Sequence, residues 1–420
     1  MKFGISNKFN KTLIVGILIA ALILSSGCTS SEDEPAEDDS TDMAPAQSVV
    51  ESVTESPAES PEESTATENL EETNSAGLTL TDGFGRSVAV PEKADRVVCS
   101  GAGCLRYLVY LQAQDYVVGV DSMETKVNAI EGRPYVLTNP QLKDYPPIGE
   151  GRGKDDPEKI IKINPQVVFK MSMIDAAAGP NAAEADALQE KTGIPVISLS
   201  YGSLRNEEQK AEMYNSLRIM GQVMGKEERA EEIIAYIEAT MQDLEKRTAD
   251  IPESERKNVY VGGVSYAGAH GIISTEPAYP PFLWVNANNV ASGAGTEHAD
   301  IAKEALVDWD PEYIFIDTGT LQLGNEGAIG ELKSDTALTG LSAANNGKVY
   351  GVVPYNFYST NYESVLANAY FVGKVLYPDR FEDVDPQAKA DEIYSFFLGK
   401  PAFSDLNAQY NNLGFSQISV

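Results

Sequence analysis

The sequence predicts an α/β protein of two similar halves joined by one long helix, and three observations lead to this fold class. Short β-branched runs alternate with helical stretches over the last 340 or so residues, as in buried parallel sheets covered by helices. A helical stretch from Lys226 to Asp250 divides these runs into two sets. A short segment of the first set also recurs in the second. Two like halves on a rigid connector indicate a ligand cleft between them.

The first 28 residues have the order of features typical of a signal peptide. Three Lys residues precede an apolar run from Leu13 to Leu24, which ends in Ser-Ser-Gly before Cys28. The run of about twelve residues is shorter than the roughly 20 that a membrane-spanning helix requires. The small residues that end this segment before Cys28 resemble a lipobox, although Leu24 stands four positions before Cys28, whereas a lipobox usually has Leu three positions before its Cys. We expect lipid attachment at Cys28, with an uncleaved or differently cleaved signal as the alternative.

Residues 29–77 form a low-complexity acidic segment. They contain fifteen acidic residues and no Lys or Arg. Low hydrophobicity with charge of one sign keeps such a segment disordered, since burial cannot offset the lost chain entropy. The segment is therefore predicted to be a disordered tether, which places the folded part outside the cell and anchored to the outer face of the cell membrane.

Composition excludes several classes of protein for the remainder. The whole chain carries a formal net charge of −31, and it lacks a stripe of basic residues interleaved with aromatics, so nucleic-acid binding is not expected. Besides Cys28 only Cys99 and Cys104 are present, too few for a disulfide framework. A paired disulfide or a metal site at these two is less favoured than two unpaired thiols, one buried and one in a loop.

Catalytic motifs are missing as well. The sequence contains no GxSxG elbow, HExxH, CxxC pair or P-loop, and its two His residues leave little for acid-base chemistry. We therefore expect a monomeric binding protein that needs no cofactor. A cell-surface enzyme or a structural surface protein would share the signal and the tether, so these remain the alternatives.

The order of elements divides the folded part into residues 78–225, a connecting helix over 226–250, and residues 251–420. Gly225 separates this helix from a preceding one, and Pro252 ends it. The predicted strands are Arg96 to Ser100, Tyr116 to Val120, Val167 to Met171, Pro195 to Leu199, Asn258 to Val264, Tyr313 to Asp317 and Lys348 to Val353.

An internal repeat relates the two halves. Glu158-KIIKIN-Pro165-QVVF in the first half matches Glu304-ALVDWD-Pro311-EYIF in the second, with identical spacing from Glu to Pro. Each copy predicts a short helix, a turn at the Pro, and a buried strand. Each Glu is then an exposed carboxylate near the start of its helix, either for contact with a partner or simply solvated.

Five segments together resemble class III periplasmic binding proteins, the helical-backbone receptors of ABC importers. They are Leu80-TDGFGRSVAVPEKADRVV, the two Glu-to-Pro repeats, Thr192-GIPVISL, Gly347-KVYGVV and Ala367-NAYFVGKVLYPDRFEDVD. The resemblance implies two Rossmann-like lobes joined by one long helix, and a ligand that is a ferric siderophore, haem, cobalamin or metal ion. It also implies a permease dimer with its cytoplasmic ATPase as partner, with Glu158 and Glu304 pairing with Arg residues on the permease.

The ligand is expected outside the carboxyl ends of the strands, as in other α/β proteins. A metal chelate, most often an iron complex in this family, needs aromatic walls, cationic side chains for anionic groups, or direct His and Tyr ligands. An oxyanion, cobalamin, haem, or nickel or cobalt chelate stays open. His270 is the candidate metal ligand, with loop capping as its alternative, and His298 is expected to be a local loop residue. The ligand-binding candidates are Arg106, Arg152, Arg205, Tyr266, His270, Trp284, Tyr355 and Tyr358.

Overall fold

A computed structural model describes residues 77–172 and 182–420, and these residues build an α/β protein with two parallel sheets. The predicted signal peptide, Cys28 and nearly all of the predicted tether lie outside the described residues. Within the described ranges, no helix combines the length and apolarity needed to cross a bilayer.

The first half contains a central four-stranded sheet and two small hairpins. The strands of the central sheet follow the predicted β-branched runs, because successive residues of each run are mostly apolar and are buried on both faces of the sheet. The strands are β1 (Leu78–Thr81), β2 (Ser87–Val90), β3 (Val97–Ser100), β4 (Val117–Val120), β5 (Gly149–Gly151), β6 (Lys154–Asp155), β7 (Val167–Ser172) and β8 (Val196–Ser200). The helices are α1 (Cys104–Tyr110), α2 (Pro134–Thr138), α3 (Pro157–Ile163), α4 (Ala183–Thr192) and α5 (Glu207–Met224), with 3-10 turns at Gln114–Tyr116 and Pro140–Asp144.

The long helix α6 (Glu227–Thr248) follows, and the second half is built in the same style. Its strands are β9 (Asn258–Gly262), β10 (Ser274–Thr275), β11 (Asn288–Asn289), β12 (Ala299–Asp300), β13 (Tyr313–Asp317), β14 (Val349–Val352) and β15 (Ser416–Gln417). Its helices are α7 (Pro280–Trp284), α8 (Lys303–Trp309), α9 (Ala328–Ser334), α10 (Ser342–Asn345), α11 (Tyr362–Leu376), α12 (Pro386–Leu398) and α13 (Phe403–Gln409), with 3-10 turns at Glu253–Glu255, Ser292–Ala294, Thr318–Glu326 and Pro378–Arg380.

The two main sheets follow the same path. The first has the parallel order β4-β3-β7-β8, and the second has the parallel order β11-β9-β13-β14 with β15 added antiparallel at its edge. In each sheet the chain first moves outward by one strand and then crosses back to the other side of the starting strand. This reversal creates a switch point between β3 and β7 and another between β9 and β13, where ligands of open α/β sheets bind.

The predicted repeat is confirmed by the helices that lead into β7 and β13. Helices α3 and α8 each span seven residues and end at an αL residue, Asn164 and Asp310 respectively. A buried Pro follows in both copies and the central strand begins two residues later. Because helix, turn and strand coincide in both copies, the sequence repeat is a repeat of one supersecondary unit.

The packing of the strands explains how the two halves, hereafter lobe 1 (77–225) and lobe 2 (249–420), hold together. One face of each main sheet enters a single shared core, in which Val97 and Phe169 of lobe 1 join Val261 and Phe315 of lobe 2. The opposite faces fill two smaller, separate cores. A close-packed interior resists continuous deformation, so the shared core limits how far the lobes move relative to each other.

Helix α6 contributes one apolar face to this shared core. Ile233, Ile237 and Leu244 are fully buried at helical spacing, as the sequence pattern predicts. The opposite face is rich in Glu and is exposed. The helix therefore packs under both lobes along its length and acts as a stiff connector.

The segment from Leu80 to Arg86, which carries part of the family resemblance, has a structural role. The buried Asp82 carboxylate accepts backbone N–H groups of Phe84 and Arg86 within its own hairpin, and of Ser198 in β8 at 3.0 Å. Arg86 adds an ion pair to Asp82 at 2.9 Å and donates to the carbonyl of Val196. The motif thus fastens the β1-β2 hairpin to the edge of the first sheet.

Candidate ligand cleft

Five of the eight candidate residues lie in loops that follow strands of the two sheets, whereas Arg106, expected in a loop, lies in a helix. Arg106 lies in α1 just after β3, and Arg205 follows β8. In lobe 2, Tyr266 and His270 follow β9, and Tyr355 and Tyr358 follow β14. Loops at the carboxyl ends of parallel strands meet at one edge of their sheet, so these residues form two opposed sets.

Asp121, which directly follows β4, organises the loops of lobe 1. Its buried carboxylate accepts four backbone N–H groups, from Gly101 at 3.3 Å, Met123 at 2.9 Å, Arg152 at 3.1 Å and Gly153 at 2.9 Å. Three separate segments are thereby held at the sheet edge. Sequence reasoning missed Asp121, although an Asp at the carboxyl end of a predicted strand is a signal that would have found it.

Arg106 crosses from lobe 1 to lobe 2. Its buried guanidinium donates from Nε to Asn361 Oδ1 at 2.9 Å, and from Nη2 to the carbonyl oxygens of Phe357 at 3.1 Å and Tyr358 at 3.0 Å. Its Nη1 is buried and has no hydrogen-bond partner among the described residues. Most of its hydrogen-bonding capacity is therefore used by the protein itself, and one buried donor is left over.

The lobe 2 segment that Arg106 holds is strained. Tyr358 and Ser359 have φ angles of 52° and 72°, in the left-handed region that non-Gly residues seldom adopt. The Tyr358 side chain reaches toward the carboxylates of lobe 1, where burial and then the charges of Asp121 and Glu124 raise the pKa of its phenol. A strained backbone persists only where the surrounding contacts hold it in place. Here these contacts come from Arg106 in the opposite lobe.

A second cross-lobe contact joins Arg205 to Glu276. The Glu276 carboxylate, 1% exposed, accepts from Arg205 Nε and from the hydroxyl of Tyr355 at 2.7 Å. Arg205 also lies 3.2 Å from Glu297. Two predicted residues, Arg205 and Tyr355, thus meet at a buried Glu that sequence reasoning did not single out, because nothing near it in the sequence distinguishes it from other Glu residues.

The two His residues of the chain meet beside Tyr266 in lobe 2. The ring of Tyr266 stacks on His298, with centroids 4.4 Å apart and planes within 6°, and the His270 ring lies 5.6 Å from that of His298. Tyr266 is 53% exposed. The structure therefore places His298, expected to be a local loop residue, in one cluster with two predicted ligand residues.

Hydrogen bonds assign the tautomers of both rings. His270 Nε2 lies 2.7 Å from the carbonyl oxygen of Tyr266, which only accepts, so Nε2 carries the proton. Ser274 donates its one hydroxyl proton to Val264, so His298 Nε2, 2.7 Å from that hydroxyl, must be the donor as well. In the neutral form of each ring, Nδ1 then keeps the lone pair. Burial lowers the pKa of His298, which favours its neutral, metal-binding form.

Other predicted residues lie apart from this cluster. The exposed side chain of Arg152 belongs to the β5-β6 turn of lobe 1, and it makes no ion pair with a described residue. Trp284 lies in α7, where it lines a cavity of about 250 Å³ with Arg205, Lys210 and Met241. Cys99 and Cys104 are both buried and unpaired, the latter as the first residue of α1 rather than in an exposed loop.

The donor set restricts the kind of metal binding that is possible. Across the described residues, no three His, Cys, Asp or Glu side chains are grouped so that they could hold a metal ion. A bare Zn²⁺ in a protein site usually takes three or four such ligands.

Two like α/β lobes on a stiff helix, with polar side chains meeting at opposed carboxyl edges, define a two-lobe solute-binding protein. The chain belongs to the periplasmic binding protein family, whose model matches residues 97–355. This membership confirms the resemblance and the predicted two-lobe fold. The protein is thus an extracytoplasmic solute-binding component of an ABC importer, in agreement with the expectation that it is not an enzyme.

Two curated relatives and one solved structure are similar to this chain at low sequence identity, and the names of the two relatives give different ligands. The molybdate-binding protein MolA of Haemophilus influenzae is 23% identical, over 76% of this chain and 90% of that protein. The iron(3+)-hydroxamate-binding protein FhuD of Bacillus subtilis is 24% identical, over 69% of this chain and 84% of that protein. The structure of MolA from H. influenzae bound to molybdate matches with a TM-score of 0.61 at 20% identity, covering 77% of this chain and 98% of that chain.

Proposed function

We propose that this receptor binds an anionic metal chelate, with an iron(III) complex as the first choice, and delivers it to the permease of an ABC importer. The observation that carries the proposal is the cluster of Tyr266, His270 and His298 at the carboxyl edge of the second sheet. Phenolate oxygen and imidazole nitrogen are suitable protein ligands for iron. The hydrogen bonds at Nε2 orient each neutral ring and leave its Nδ1 available as a metal ligand, as second-shell hydrogen bonds commonly do.

Lobe 1 offers the complementary charge. The Arg152 guanidinium is exposed and has no ion pair among the described residues, while Arg106 Nη1 and Ser100 Oγ are buried polar atoms without a partner. Gly153, next to Arg152, packs close to Gly101 and Ser100, so these groups belong to one region of the sheet edge. They would contact the anionic groups of the chelate while lobe 2 contacts the metal.

The ligand can be identified directly from protein purified from its own host, by native mass spectrometry with elemental analysis. Titration with ferric siderophores, haem, corrinoids and molybdate then ranks the affinities. His270→Ala combined with His298→Ala should weaken binding of the preferred iron complex by about 10- to 100-fold, as loss of metal-site residues commonly does. Arg152→Ala should weaken it as well, whereas the exposed Arg256→Ala serves as the matched control.

An oxyanion is the second candidate. Two buried donors that have no hydrogen-bond partner within the described part of the chain, Arg106 Nη1 and Ser100 Oγ, fit a small anion that needs several hydrogen bonds in a confined site. The double His variant separates the candidates, since it should leave molybdate affinity unchanged if the oxyanion is the ligand. Metal-free protein that binds neither iron complexes nor oxyanions would contradict both.

We also propose that Cys28 carries the lipid that holds the receptor at the outer face of the membrane. The support is the lipobox-like sequence and the acidic segment that follows it. Cys28→Ser should release the protein from the membrane fraction into the medium or periplasm. Retention of the variant in washed membranes would show that another segment anchors the chain.

A further inference from the structure

One loop of lobe 2 reaches over to lobe 1. It comprises residues 295–298, between the 3-10 turn Ser292–Ala294 and β12, and we call it the latch loop. The Glu297 carboxylate accepts a hydrogen bond at Oε1 from Gln209 Nε2 at 2.8 Å, and its Oε2 lies 3.2 Å from Arg205 Nη1. Gln209 and Arg205 both belong to lobe 1, so two donors tie the latch loop to the opposite lobe.

The next residue of the latch loop, His298, belongs to the cluster with Tyr266 and His270. Its ring stacks on Tyr266, and its Nε2 lies 2.7 Å from Ser274 Oγ. Both of these contacts are made within lobe 2. Neighbouring side chains of one loop are therefore held by different lobes, Glu297 by lobe 1 and His298 by lobe 2. Because consecutive Cα atoms are only about 3.8 Å apart, a displacement of Glu297 is passed directly to His298.

Little packing surrounds the latch loop in the part of the chain that the structure describes. Strand β12, which follows the loop, pairs with β10 over only two residues. A Cβ added at Gly293 or at Gly295 would meet no other atom of the described residues within 4 Å. Gly295 has a φ of 126°, which residues with a side chain seldom adopt. The contacts of Glu297 with lobe 1 therefore have a large share in fixing where the loop lies.

The Glu297 contacts differ in burial from the other polar contacts that join the lobes. Asn361, held by Arg106, and Glu276, held by Arg205, are both buried, and separating a buried charged group from its partner is costly. The Glu297 side chain is 58% exposed, and an exposed ion pair contributes little free energy. The Glu297 contact can therefore open and close while the buried contacts and the shared core keep the lobes together.

We propose that Glu297 is a positioning residue for the ligand: it ties the latch loop to lobe 1 and thereby holds His298 in place, so that a bound metal chelate is retained while this contact is closed. The inference rests on the proposed function, in which the cluster of Tyr266, His270 and His298 contacts the metal. Coupling between two sites is reciprocal, so a chelate bound at His298 also strengthens the contact of Glu297 with lobe 1.

The test measures how fast iron(III) nitrilotriacetate, a chelate with open coordination positions, binds to the full-length receptor and dissociates from it into excess EDTA, by stopped-flow absorbance. The variants are Glu297→Ala, His298→Ala and the two combined. Glu326→Ala is the matched control, since Glu326 is exposed in the loop that follows β13 in the same lobe. Glu297→Gln with Gln209→Glu exchanges donor and acceptor and so restores a hydrogen bond between the lobes. Melting temperatures are recorded for every variant.

We expect Glu297→Ala to raise the dissociation rate about fivefold, with the association rate and the melting temperature unchanged. Glu326→Ala should behave as wild type, and the exchanged pair should recover most of the slow dissociation. In the His298→Ala background, Glu297→Ala should have no further effect, because changes that act through one group are not additive. If Glu297 only supported the fold, its loss would instead lower the melting temperature and act equally in both backgrounds.

The failure of the inference and the failure of the proposed function are distinguishable. If wild type binds the iron chelate and Glu297→Ala releases it as slowly as Glu326→Ala does, Glu297 does not position His298 and the proposed function stands. The same holds if Glu297→Ala speeds release equally with and without His298. If the folded wild-type receptor does not bind the iron chelate, the cluster is not its metal site, and the proposed function and the role of Glu297 fail together.

Discussion

Arg106 Nε donates a 2.9 Å hydrogen bond to Asn361 Oδ1, which lies 255 residues further along the chain and in the opposite lobe. Asn361 in turn donates from Nδ2 to the carbonyl of Gly132 in lobe 1 at 3.1 Å. Arg106 and Asn361 are both fully buried. One side chain of lobe 2 is thus held by two groups of lobe 1, which makes this pair a fastening point between the lobes.

Asn361→Ala should loosen this point. The change removes an acceptor from a buried guanidinium, which costs about 1.5–3 kcal/mol for a hydrogen bond to a charged group. We expect a lower free energy of unfolding in urea and a larger radius of gyration in small-angle scattering. Asn345→Ala, at an exposed position of lobe 2, is the control. Equal stability of both variants would rule out the fastening role.

The Arg205 and Glu276 contact offers a second test of lobe coupling. Glu276→Gln should cost about 2–3 kcal/mol of stability, because it leaves Arg205, itself mostly buried, with only the exposed carboxylate of Glu297 as a charged partner. Arg205→Met combined with Glu276→Gln should cost less than the sum of the single changes. The surface pair of half-buried Lys389 and exposed Glu392 should show a coupling of at most about 0.5 kcal/mol in the same double-mutant cycle. If the stability losses of the two single variants simply add up in the double variant, Arg205 and Glu276 do not interact.

Asp317, at the end of β13, predicts a specific pH dependence. Burial raises the pKa of its carboxyl to about 7, against hydrogen bonds from the backbone of Gly319 and Ser265. Of the described titratable groups that interact with it, Tyr279 and Tyr410 have raised pKa values and stay neutral at these pH values. Only the carboxyl therefore changes its charge here.

A carboxyl with a raised pKa in the folded state stabilises the protein below its unfolded pKa, near 4, and loses this contribution as the pH rises to about 7. The shift corresponds to at most about 4 kcal/mol. Asp317→Asn, which cannot ionise, should make unfolding free energies less dependent on pH between 4 and 7. Urea titrations at several pH values measure the free energy of unfolding. If it changes with pH in the same way for wild type and variant, Asp317 does not cause the pH dependence.

Glu158 and Glu304 should be needed for transport and not for ligand binding. Both are exposed in the first turns of α3 and α8, on helices rather than in the loops that carry the candidate ligand residues. Changing both to Gln should abolish uptake in cells while the dissociation constant of the ligand stays within twofold of wild type. Exposed Glu228→Gln and Glu253→Gln together form the control. Loss of ligand affinity in the test variant would remove the docking role.

Local patterns of the sequence predicted the elements well. The run from Tyr313 to Asp317 is β13 as predicted, and the predicted helix from Lys226 to Asp250 is α6 with its ends shortened to Glu227 and Thr248. Such elements depend on β-branched runs, helical spacing and breakers within a few residues of each other. The same reasoning placed Glu158 and Glu304 on exposed helix surface, because the repeat registers each Glu two positions before a buried apolar residue.

What the sequence by itself determined, then, is the set of elements, their repetition in two halves, and the loops that reach the sheet edges. Only the tertiary structure decided which side chains meet there. His298 joins His270 because β10 and β12 pair, and Arg106 finds Asn361 because the two lobes share one core. Contacts of this kind depend on strand order and on lobe packing, which arise from burial summed over the whole chain and leave no local mark on the residues that they bring together.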